Sequence, residues 1–230
     1  MYIFPRLPQV RLSQLIRAGV DVSNKTILDY GGARGNLLAD GVEKNLIDPK
    51  NYTCMDVESS GLVVLNKEYP KAKAVHYNRY NPVYNDKGEK FKIFPQPSDT
   101  FDMVYSYSVN THSSWADYVF DIKEMVRVSK GPVYSSIMNL SCMRTLHEKR
   151  IRDYGSAVDF GVFKKVKTGV YYINNDTLLD LDDEIPTDVD LLITFYNRQW
   201  LMSEISKLGL DVKLINDTTP GIQPLLEIQG

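Results

Sequence analysis

Short apolar runs alternate with segments of helical periodicity along most of the chain. The runs of strand length are TILDY, NYTCMDV, AKAVHY, FDMVYSYS and PVYSSIM, which begin at residues 26, 51, 72, 101 and 132. Between them, apolar residues recur at helical spacing over residues 36–47, 59–69 and 114–129, and Ser59 or Ser60 is the expected N-cap of the second of these helices. Strands that alternate with helices predict an α/β fold, in which helices cover both faces of a parallel sheet.

Further elements are predicted at both ends of the chain. Residues 9–18 predict a helix that stops at Gly19, and its apolar positions are Val10, Leu12, Leu15, Ile16 and Ala18. From residue 190, the segments DLLITFYN, RQWLMSEISKLG, DVKLIN and PLLEIQ predict a strand, a helix and two strands. A length of 230 residues, without an internal repeat or an interdomain linker, favours a single domain over residues 1–230.

Two stretches, residues 81–100 and 140–187, interrupt this alternation. The first has three prolines and a charged centre, which predict a loop or a small hairpin. The second is expected to contain a helix around residues 141–153 and an acidic run at 180–186. Both follow strands of the predicted parallel sheet, and ligands of such sheets lie outside the carboxyl ends of the strands. The two insertions are therefore expected to cover a ligand pocket, with surface decoration as the alternative.

Composition narrows the class of protein. Hydrophobic residues make up 43% and charged residues 24%, which is usual for a soluble globular protein. The formal net charge of -2 provides no overall basic field for nucleic acid. The two cysteines suit a reducing compartment. No segment has the run of about 20 apolar residues that a membrane span needs. The three histidines show no metal-ligand spacing with the cysteines. We therefore expect a soluble, cytoplasmic protein without a metal site.

The stretch KTILDYGGARGNLL, residues 25–38, places an acid and three glycines where the first strand ends and a helix begins. A glycine-rich turn at this point lets a ligand approach the backbone and the positive end of the helix. The dinucleotide fingerprint G-x-G-x-x-G fails whether it is counted from Gly31 or from Gly32, because other residues stand where further glycines are needed. The spacing that fits is acid-x-Gly-x-small-x-Gly, formed by Asp29, Gly31, Ala33 and Gly35.

This spacing resembles motif I of the class I S-adenosylmethionine-dependent methyltransferases, which is D/E-x-G-x-G-x-G after an apolar strand. Asp56 ends the second predicted strand 21 residues after Gly35, where an acid can bind a ribose. Residues 101–137, from FDMV to EMVRVSKGPVYSSI, are similar to the family's fourth strand, helix and fifth strand, and residues 195–215 resemble its late helix and strand. The resemblance covers about residues 10–139 and 193–228. It implies a Rossmann-like, doubly wound, mostly parallel sheet of seven strands.

The resemblance also implies S-adenosylmethionine as the cofactor and gives the loop residues their roles. Asp29 would orient the loop or accept from the ammonium of the cofactor. Gly31 and Gly35 would clear space for the amino-acid and ribose parts. Because Ala33 replaces the middle glycine of the family, Gly32 beside it is expected to take the left-handed backbone geometry instead.

The adenosine part has its own candidate residues in the same resemblance. Asp56 would accept from the ribose hydroxyls, and Met55 and Val57 would sandwich the adenine. Tyr77 and Asn78 follow the third strand, where the family contacts the adenine edge. The alternative for these two residues is that they fill space at the end of a strand.

Tyr107 and His112 are the candidate catalytic residues after the fourth strand. Tyr105 and Tyr107 share one face of this strand, and the ring of Tyr107 would lie beside the sulfonium, because an aromatic face stabilises a cation. Core packing is the alternative for this ring. His112 would act as a general base if the acceptor atom carries a proton, with a structural role as the alternative.

These features together imply methyl transfer from S-adenosylmethionine to an O, N or C acceptor, by in-line displacement that gives S-adenosylhomocysteine. A small acidic chain favours a small-molecule acceptor. A non-catalytic module that binds the cofactor, or that partners another enzyme, stays open. So does a methyltransferase of nucleic acid or protein, whose basic rim would come from Lys87, Lys90, Lys92, Arg144, Lys149, Arg150 and Arg152. A nicotinamide enzyme is disfavoured by the glycine spacing.

The acceptor is expected between the end of the fourth strand, from Tyr107 to His112, and the insertion at 140–187. The loop at 81–100 and the N-terminal segment with Tyr2 and Phe4 would be further cover. NPVY at 81–84 is similar to the N-P-P-Y motif of amino-directed methyltransferases. It follows the third strand here rather than the fourth, so it is assigned to a turn.

Overall fold

The computed structural model describes residues 10–81, 84–139, 142, 169–173, 178–180, 192–215 and 223–230. For residue 10 and for residues 169–173 and 178–180 it describes the backbone alone. Tyr2, Phe4, nearly all of the helix predicted at 141–153 and most of the acidic run at 180–186 lie outside the described residues.

Helices and strands alternate up to residue 139 as the hydrophobic pattern predicts. The helices are α1 (Val10–Arg17), α2 (Asn36–Glu43), α3 (Ser59–Glu68), α4 (Trp115–Val128) and α5 (Arg198–Lys207), and short 3-10 helices cover Pro49–Asn51 and Asn110–His112. The strands are β1 (Ile27–Tyr30), β2 (Tyr52–Asp56), β3 (Lys73–His76), β4 (Met103–Ser106), β5 (Val133–Ser136), β6 (Met138–Asn139), β7 (Gly169–Ile173), β8 (Leu178–Asp180), β9 (Leu192–Tyr196), β10 (Asp211–Ile215) and β11 (Leu225–Gln229).

The main sheet has seven strands in the order β10-β11-β5-β4-β1-β2-β3. Strands β1 to β5 pair in parallel, whereas β11 is antiparallel to both β5 and β10. The strand order reverses beside β1, so the loop after β1 lies at a topological switch point, where open α/β sheets bind their ligands. The predicted doubly wound, mostly parallel sheet is confirmed.

A second sheet has the order β6-β9-β7-β8. Its first strand, β6, begins two residues after β5 ends, so this sheet lies beyond the carboxyl end of β5. The sequence segment DLLITFYN forms the predicted strand, β9, but this strand pairs with β6 and β7 rather than joining the main sheet. The described part of the 140–187 insertion therefore lies at the same edge as the loop after β1.

Two apolar clusters cover the two faces of the main sheet. One packs α4 and α5 on the sheet through side chains such as Ile122 and Leu201. The other packs α1, α2 and α3 on the opposite face through Leu15, Leu38 and Leu65. The strands β1, β2, β4 and β5 are buried throughout, which explains why β1, β2 and β4 are mostly apolar, and β5 buries two serines as well.

Two local sequence predictions are wrong in detail. In α1, Ile16 was expected on the apolar face but is 45% exposed, and Gln14 is buried instead, donating from Nε2 to the carbonyl of Gln223 at 2.5 Å. The N-cap of α3 is neither Ser59 nor Ser60 but Glu58. Its carboxylate accepts from the backbone N–H groups of Ser60 and Gly61. An acidic side chain does this well, because it also meets the positive end of the helix.

The segment after β3 is held to α4 by a buried charge network. Arg79 is 2% exposed and forms ion pairs with Asp117 at 3.1 Å and Asp121 at 3.2 Å. The hydroxyl of Tyr30, at the end of β1, donates to Asp121 at 3.1 Å. Burial raises the pKa of Asp121 to about 7, although the Arg79 charge opposes this. The network fixes the start of the predicted 81–100 loop beside the carboxyl ends of β1 and β3.

The loop after β1 contains three residues with positive φ, namely Gly31 at 73°, Ala33 at 51° and Gly35 at 75°. The expectation that Gly32 would take the left-handed geometry is wrong, because Ala33 takes it itself. A residue with a Cβ pays a steric cost of about 1–2 kcal/mol for this conformation. The loop therefore has the backbone of a glycine at a position where the sequence has alanine.

We expect Ala33→Gly to leave the free energy of unfolding unchanged or to raise it by up to about 1 kcal/mol, because relief of strain offsets the greater freedom of the unfolded chain. The matched control is Ala39→Gly within α2, where the same change should lower stability by about 0.5–1 kcal/mol. Urea unfolding of both variants measures the difference. An equal loss in the two variants would contradict a strained Ala33.

Candidate functional site

Three segments meet at the carboxyl edge of the main sheet. The N–H of Gly31 donates to the carbonyl of Met55 at 2.7 Å, and the N–H of Ala33 donates to Oδ2 of Asp56 at 2.8 Å. These bonds join the loop after β1 to the end of β2. Val109, which follows β4, packs directly on Gly31. The structure thus brings together the predicted glycine loop, the acid of β2 and the segment after β4.

The loop glycines are required by protein packing. A Cβ at Gly31 would overlap Cγ2 of Val109, and one at Gly35 would overlap Cδ1 of Leu65. A Cβ at Gly32 would lie 2.6 Å from Oδ2 of Asp29. Side chains of the protein fill the space that a larger residue would take, so a ligand could approach the loop only along its backbone. The roles predicted for these glycines toward a cofactor stay predictions.

Asp29 is fully buried at the end of β1. Its Oδ2 accepts from the hydroxyl of Tyr52, whereas Oδ1 has no hydrogen-bond partner. Burial raises the pKa of Asp29 to about 6, and the charge of Arg11 and the bond from Tyr52 oppose this. The side chain therefore offers one unused acceptor in a place without water competition, which fits the predicted role toward an ammonium group.

Asp56 occupies the predicted place at the end of β2 and is 8% exposed. Oδ2 accepts from Ala33, and Oδ1 accepts from the N–H of Glu58 at 2.9 Å. Burial raises its pKa, against these two hydrogen bonds. Each carboxylate oxygen has a second lone pair, so binding to ribose hydroxyls stays a prediction that is compatible with these bonds. The structure adds a role that the sequence did not indicate, which is to hold the glycine loop.

The residues predicted around the adenine divide into two groups. Met55 and Tyr77 are buried in the apolar core, and the Tyr77 hydroxyl donates to the carbonyl of Lys92. Val57 is half-buried beside this core, and Asn78 is exposed. The side-chain oxygen of Asn78 accepts from Asn85 at 3.0 Å. Only Val57 and Asn78 of this group therefore have accessible surface for a ligand.

Tyr107 lies immediately after β4, and its ring stacks on that of Tyr105 with centroids 6.3 Å apart and 17° between planes. The prediction that both rings share one face is confirmed. The guanidinium carbon of Arg11 lies 5.2 Å from the centre of the Tyr107 ring. This aromatic face therefore already attracts a cation, as predicted for a sulfonium, but the cation in contact is an arginine.

His112 lies in the 3-10 helix after β4. Its Nδ1 is 2.7 Å from the carbonyl of Leu192, which can only accept, so Nδ1 carries the proton. In the neutral ring Nε2 is then the basic nitrogen. Burial lowers the pKa of His112, against the bond to Leu192, which favours this neutral form. The tautomer suits a base, and the bond to β9 also gives His112 a structural role.

Tyr84 lies against His112 at the same end of the sheet. Its ring meets that of His112 edge to face at 5.6 Å. Burial raises the pKa of Tyr84, and the charge of Asp56 adds to the rise. Backbone bonds between Asn81 and Asn85, at 2.9 and 3.0 Å, form the predicted turn. The turn carries Tyr84 over the sheet edge, a placement that its assignment to a turn did not predict.

Sequence reasoning missed four residues that shape the site, namely Arg11, Tyr52, Tyr84 and Val109. For Arg11 a signal exists, because it lies four residues before Leu15 and so shares the buried face of α1. For Tyr52 and Val109, the contacts depend on how β1, β2 and β4 pack, which no local pattern shows.

Two features are absent from the described residues. No helix there is long and apolar enough to cross a membrane. Likewise, within those same ranges, no group of three or more His, Cys, Asp or Glu side chains could hold a metal ion.

Comparison with protein families and with curated proteins gives no match. Solved structures do match over nearly the whole chain. Burkholderia thailandensis 1,6-didemethyltoxoflavin-N1-methyltransferase, with bound 1,6-didemethyltoxoflavin and S-adenosylhomocysteine, is similar at 12% identity and a TM-score of 0.55, over 97% of this chain and 76% of its own. The glycopeptide N-methyltransferase MtfA, complexed with sinefungin, matches at 12% identity and a TM-score of 0.53, over 94% of this chain and 90% of its own.

A Rhodobacter sphaeroides structure that carries the name of zinc-dependent alcohol dehydrogenases is equally similar, at 11% identity and a TM-score of 0.56, over 97% of this chain and 90% of its own. At such identities a likeness shows the fold and not the chemistry. Most of the similar structures are S-adenosylmethionine-dependent methyltransferases. The chain has the Rossmann-like fold of the class I S-adenosylmethionine-dependent methyltransferases.

Proposed function

We propose that this chain, as a single domain, transfers the methyl group of S-adenosylmethionine to an O, N or C atom of a small molecule, giving S-adenosylhomocysteine. The observation that carries the proposal is the bond between the glycine loop and Asp56, at the switch point of a sheet with this strand order. It supports a site in which backbone N–H groups, a buried acid and an aromatic face lie close together. Methyltransferases with bound S-adenosylhomocysteine share the fold.

The side chains at this edge of the sheet match the charges of S-adenosylmethionine. Bound S-adenosylmethionine would supply a methyl group already activated by a sulfonium. Asp56 would hold the ribose, Asp29 would accept from the ammonium, and the face of Tyr107 would stabilise positive charge. The protein's task is then mainly to align donor and acceptor and to exclude water, and alignment can contribute about 7–11 kcal/mol.

The acceptor is proposed to lie between Tyr107, His112 and the second sheet. Two contacts support this position, since His112 bonds to Leu192 of β9 and Thr194 of β9 donates to the carbonyl of Ser113 at 2.7 Å. The second sheet thus adjoins the segment after β4. His112, neutral and with Nε2 basic, could remove a proton from an acceptor hydroxyl or amine.

Charge near the 81–100 loop gives little support to a macromolecular acceptor. Lys92 pairs with Glu89 at 3.1 Å, and Lys90 lies 4.9 Å from the centre of the Tyr80 ring. Among the described candidates for a basic rim, Lys87 is the remaining one, and Arg144, Lys149, Arg150 and Arg152 lie outside the described residues. A small-molecule acceptor is therefore the preferred proposal.

The first test is ligand choice. Calorimetry should show binding of S-adenosylmethionine and S-adenosylhomocysteine, and much weaker binding of nicotinamide dinucleotides, because the loop lacks the dinucleotide spacing. Incubation of cell extract with methyl-labelled cofactor should then label a small molecule. Tight NAD binding without S-adenosylhomocysteine binding would overturn the proposal, and binding without any labelled product would favour the non-catalytic module.

The second test concerns Asp56. We expect Asp56→Asn to weaken S-adenosylhomocysteine binding by about ten- to hundred-fold, because hydrogen bonds to a charged group are worth about 1.5–3 kcal/mol. The 2′-deoxy analogue of the ligand should lose less, since it lacks one ribose hydroxyl. Asp48→Asn is the control, because Asp48 is an exposed N-cap whose carboxylate accepts from Lys50. Equal losses for the two ligands would mean that Asp56 acts only through the loop.

The third test separates a catalytic His112 from a structural one. Asn can still donate to the Leu192 carbonyl but provides no base, so His112→Asn should lower kcat by about 10²–10⁴-fold while S-adenosylhomocysteine affinity stays within about twofold. In the native protein, kcat should fall as the pH drops through the His112 pKa, which burial holds below 6.5. The variant should lack this limb. An unchanged kcat would remove His112 from the chemistry.

A further inference from the structure

Helix α1 holds Arg11 at the edge of the candidate site. Leu12 and Leu15 of this helix are fully buried in the core, and Gln14 bonds to the carbonyl of Gln223. Arg11 lies one turn before Leu15, so the same anchoring directs its side chain inward. Its guanidinium carbon lies over the ring of Tyr107.

The guanidinium of Arg11 lacks hydrogen-bond partners for two buried donors, Nε and Nη1. A buried cationic group normally finds an acceptor for each donor, because an unmade bond leaves the desolvation penalty uncompensated. The contact with Tyr107 offsets only part of this penalty. Two guanidinium donors are therefore left for an acceptor from outside the chain.

Asp29 has an unpartnered acceptor that complements the unpartnered donors of Arg11. Its Oδ1 is buried without a partner. The charge of Arg11 acts on Asp29, since it opposes the rise that burial causes in the Asp29 pKa. It likewise opposes the rise that burial causes in the pKa of Tyr105 and of Tyr107. Asp29 is also the register partner of Tyr105, whose ring stacks on the Tyr107 ring that Arg11 contacts. The guanidinium and the carboxylate therefore lie on the same face of the sheet, and each has unsatisfied polar atoms.

We propose that Arg11 and Asp29 together bind the amino-acid end of the cofactor as a zwitterion. Arg11 donates to the α-carboxylate through Nε and Nη1, in the forked geometry that guanidinium groups use for carboxylates, and Asp29 accepts from the α-ammonium through Oδ1. This inference rests on the proposed function, and it makes Arg11 the residue that distinguishes the complete cofactor from nucleosides without an amino-acid end.

Three ligands test the contributions of the α-carboxylate and the α-ammonium separately. S-Adenosylhomocysteine has both, S-adenosyl-3-thiopropylamine lacks the carboxylate, and 5′-methylthioadenosine lacks both. Calorimetry with Arg11→Gln should show a loss of about ten- to hundred-fold for S-adenosylhomocysteine and a change within about twofold for the other two ligands. Arg11→Lys should recover part of the loss, because it keeps the charge without the fork.

The matched control is Arg17→Gln, the same change on the same helix at an exposed position whose Nε donates to the carbonyl of Ser13. It should leave all three affinities unchanged. Asp29→Asn should weaken binding of the two ligands that carry an ammonium group and leave the affinity for 5′-methylthioadenosine unchanged. Thermal unfolding checks that each variant is folded. If Arg11→Gln does not fold, Arg11→Lys takes its place, and its loss of affinity must still be confined to the carboxylate-bearing ligand.

The outcomes divide clearly. Equal losses of all three ligands in Arg11→Gln, or an unchanged affinity for S-adenosylhomocysteine, would overturn the assignment of Arg11 while leaving the proposed function in place. The same holds if the native protein binds S-adenosylhomocysteine no better than 5′-methylthioadenosine. If the native protein binds none of the three ligands, the proposed function itself fails.

Discussion

The hydrogen bond from the backbone of Ala33 to the carboxylate of Asp56, at 2.8 Å, is the interaction on which the site depends. It joins the loop after β1 to the end of β2, and it requires Ala33 to keep a backbone conformation that an alanine adopts only at a cost. Asp56 is nearly buried, so its charge must be satisfied by such N–H donors. Gly35, two residues after Ala33, is the N-cap of α2, so the bond holds the loop directly before the helix begins.

Much of the fold follows from hydrophobic periodicity. The buried strands β1, β2 and β4 are mostly apolar because helices cover both sides of them, and the helices between them have apolar stripes. Hydrophobic periodicity does not show which strand pairs with which. The apolar sequence of β9 is compatible with a buried strand in either sheet. Only its pairing with β6 and β7 shows that it belongs to the second sheet.

The candidate site was predictable where a residue type is needed at a fixed distance along the chain, as for Asp29, Gly35 and Asp56. It was not predictable where the partner comes from a distant segment. Glu58 caps α3 in place of two equally suitable serines, a choice that local propensity does not make. Arg11 does have a local signal, since a charged residue four positions before a buried leucine lies on the buried face of its helix.

The charges at this sheet edge relate binding to stability. Asp29 and Asp56 are both buried, and the charge of Asp56 adds to the rise that burial causes in the pKa of Asp29. Keeping both ionised therefore costs folding free energy, and the Arg11 guanidinium repays only part of it, since two of its donors and one Asp29 oxygen have no partner. A ligand with matching charges would satisfy these atoms in the folded state alone, and would stabilise the fold by mass action. Buried polar atoms of Arg11 and Asp29 are left without partners beside the glycine loop, which is what a binding site for a charged ligand requires.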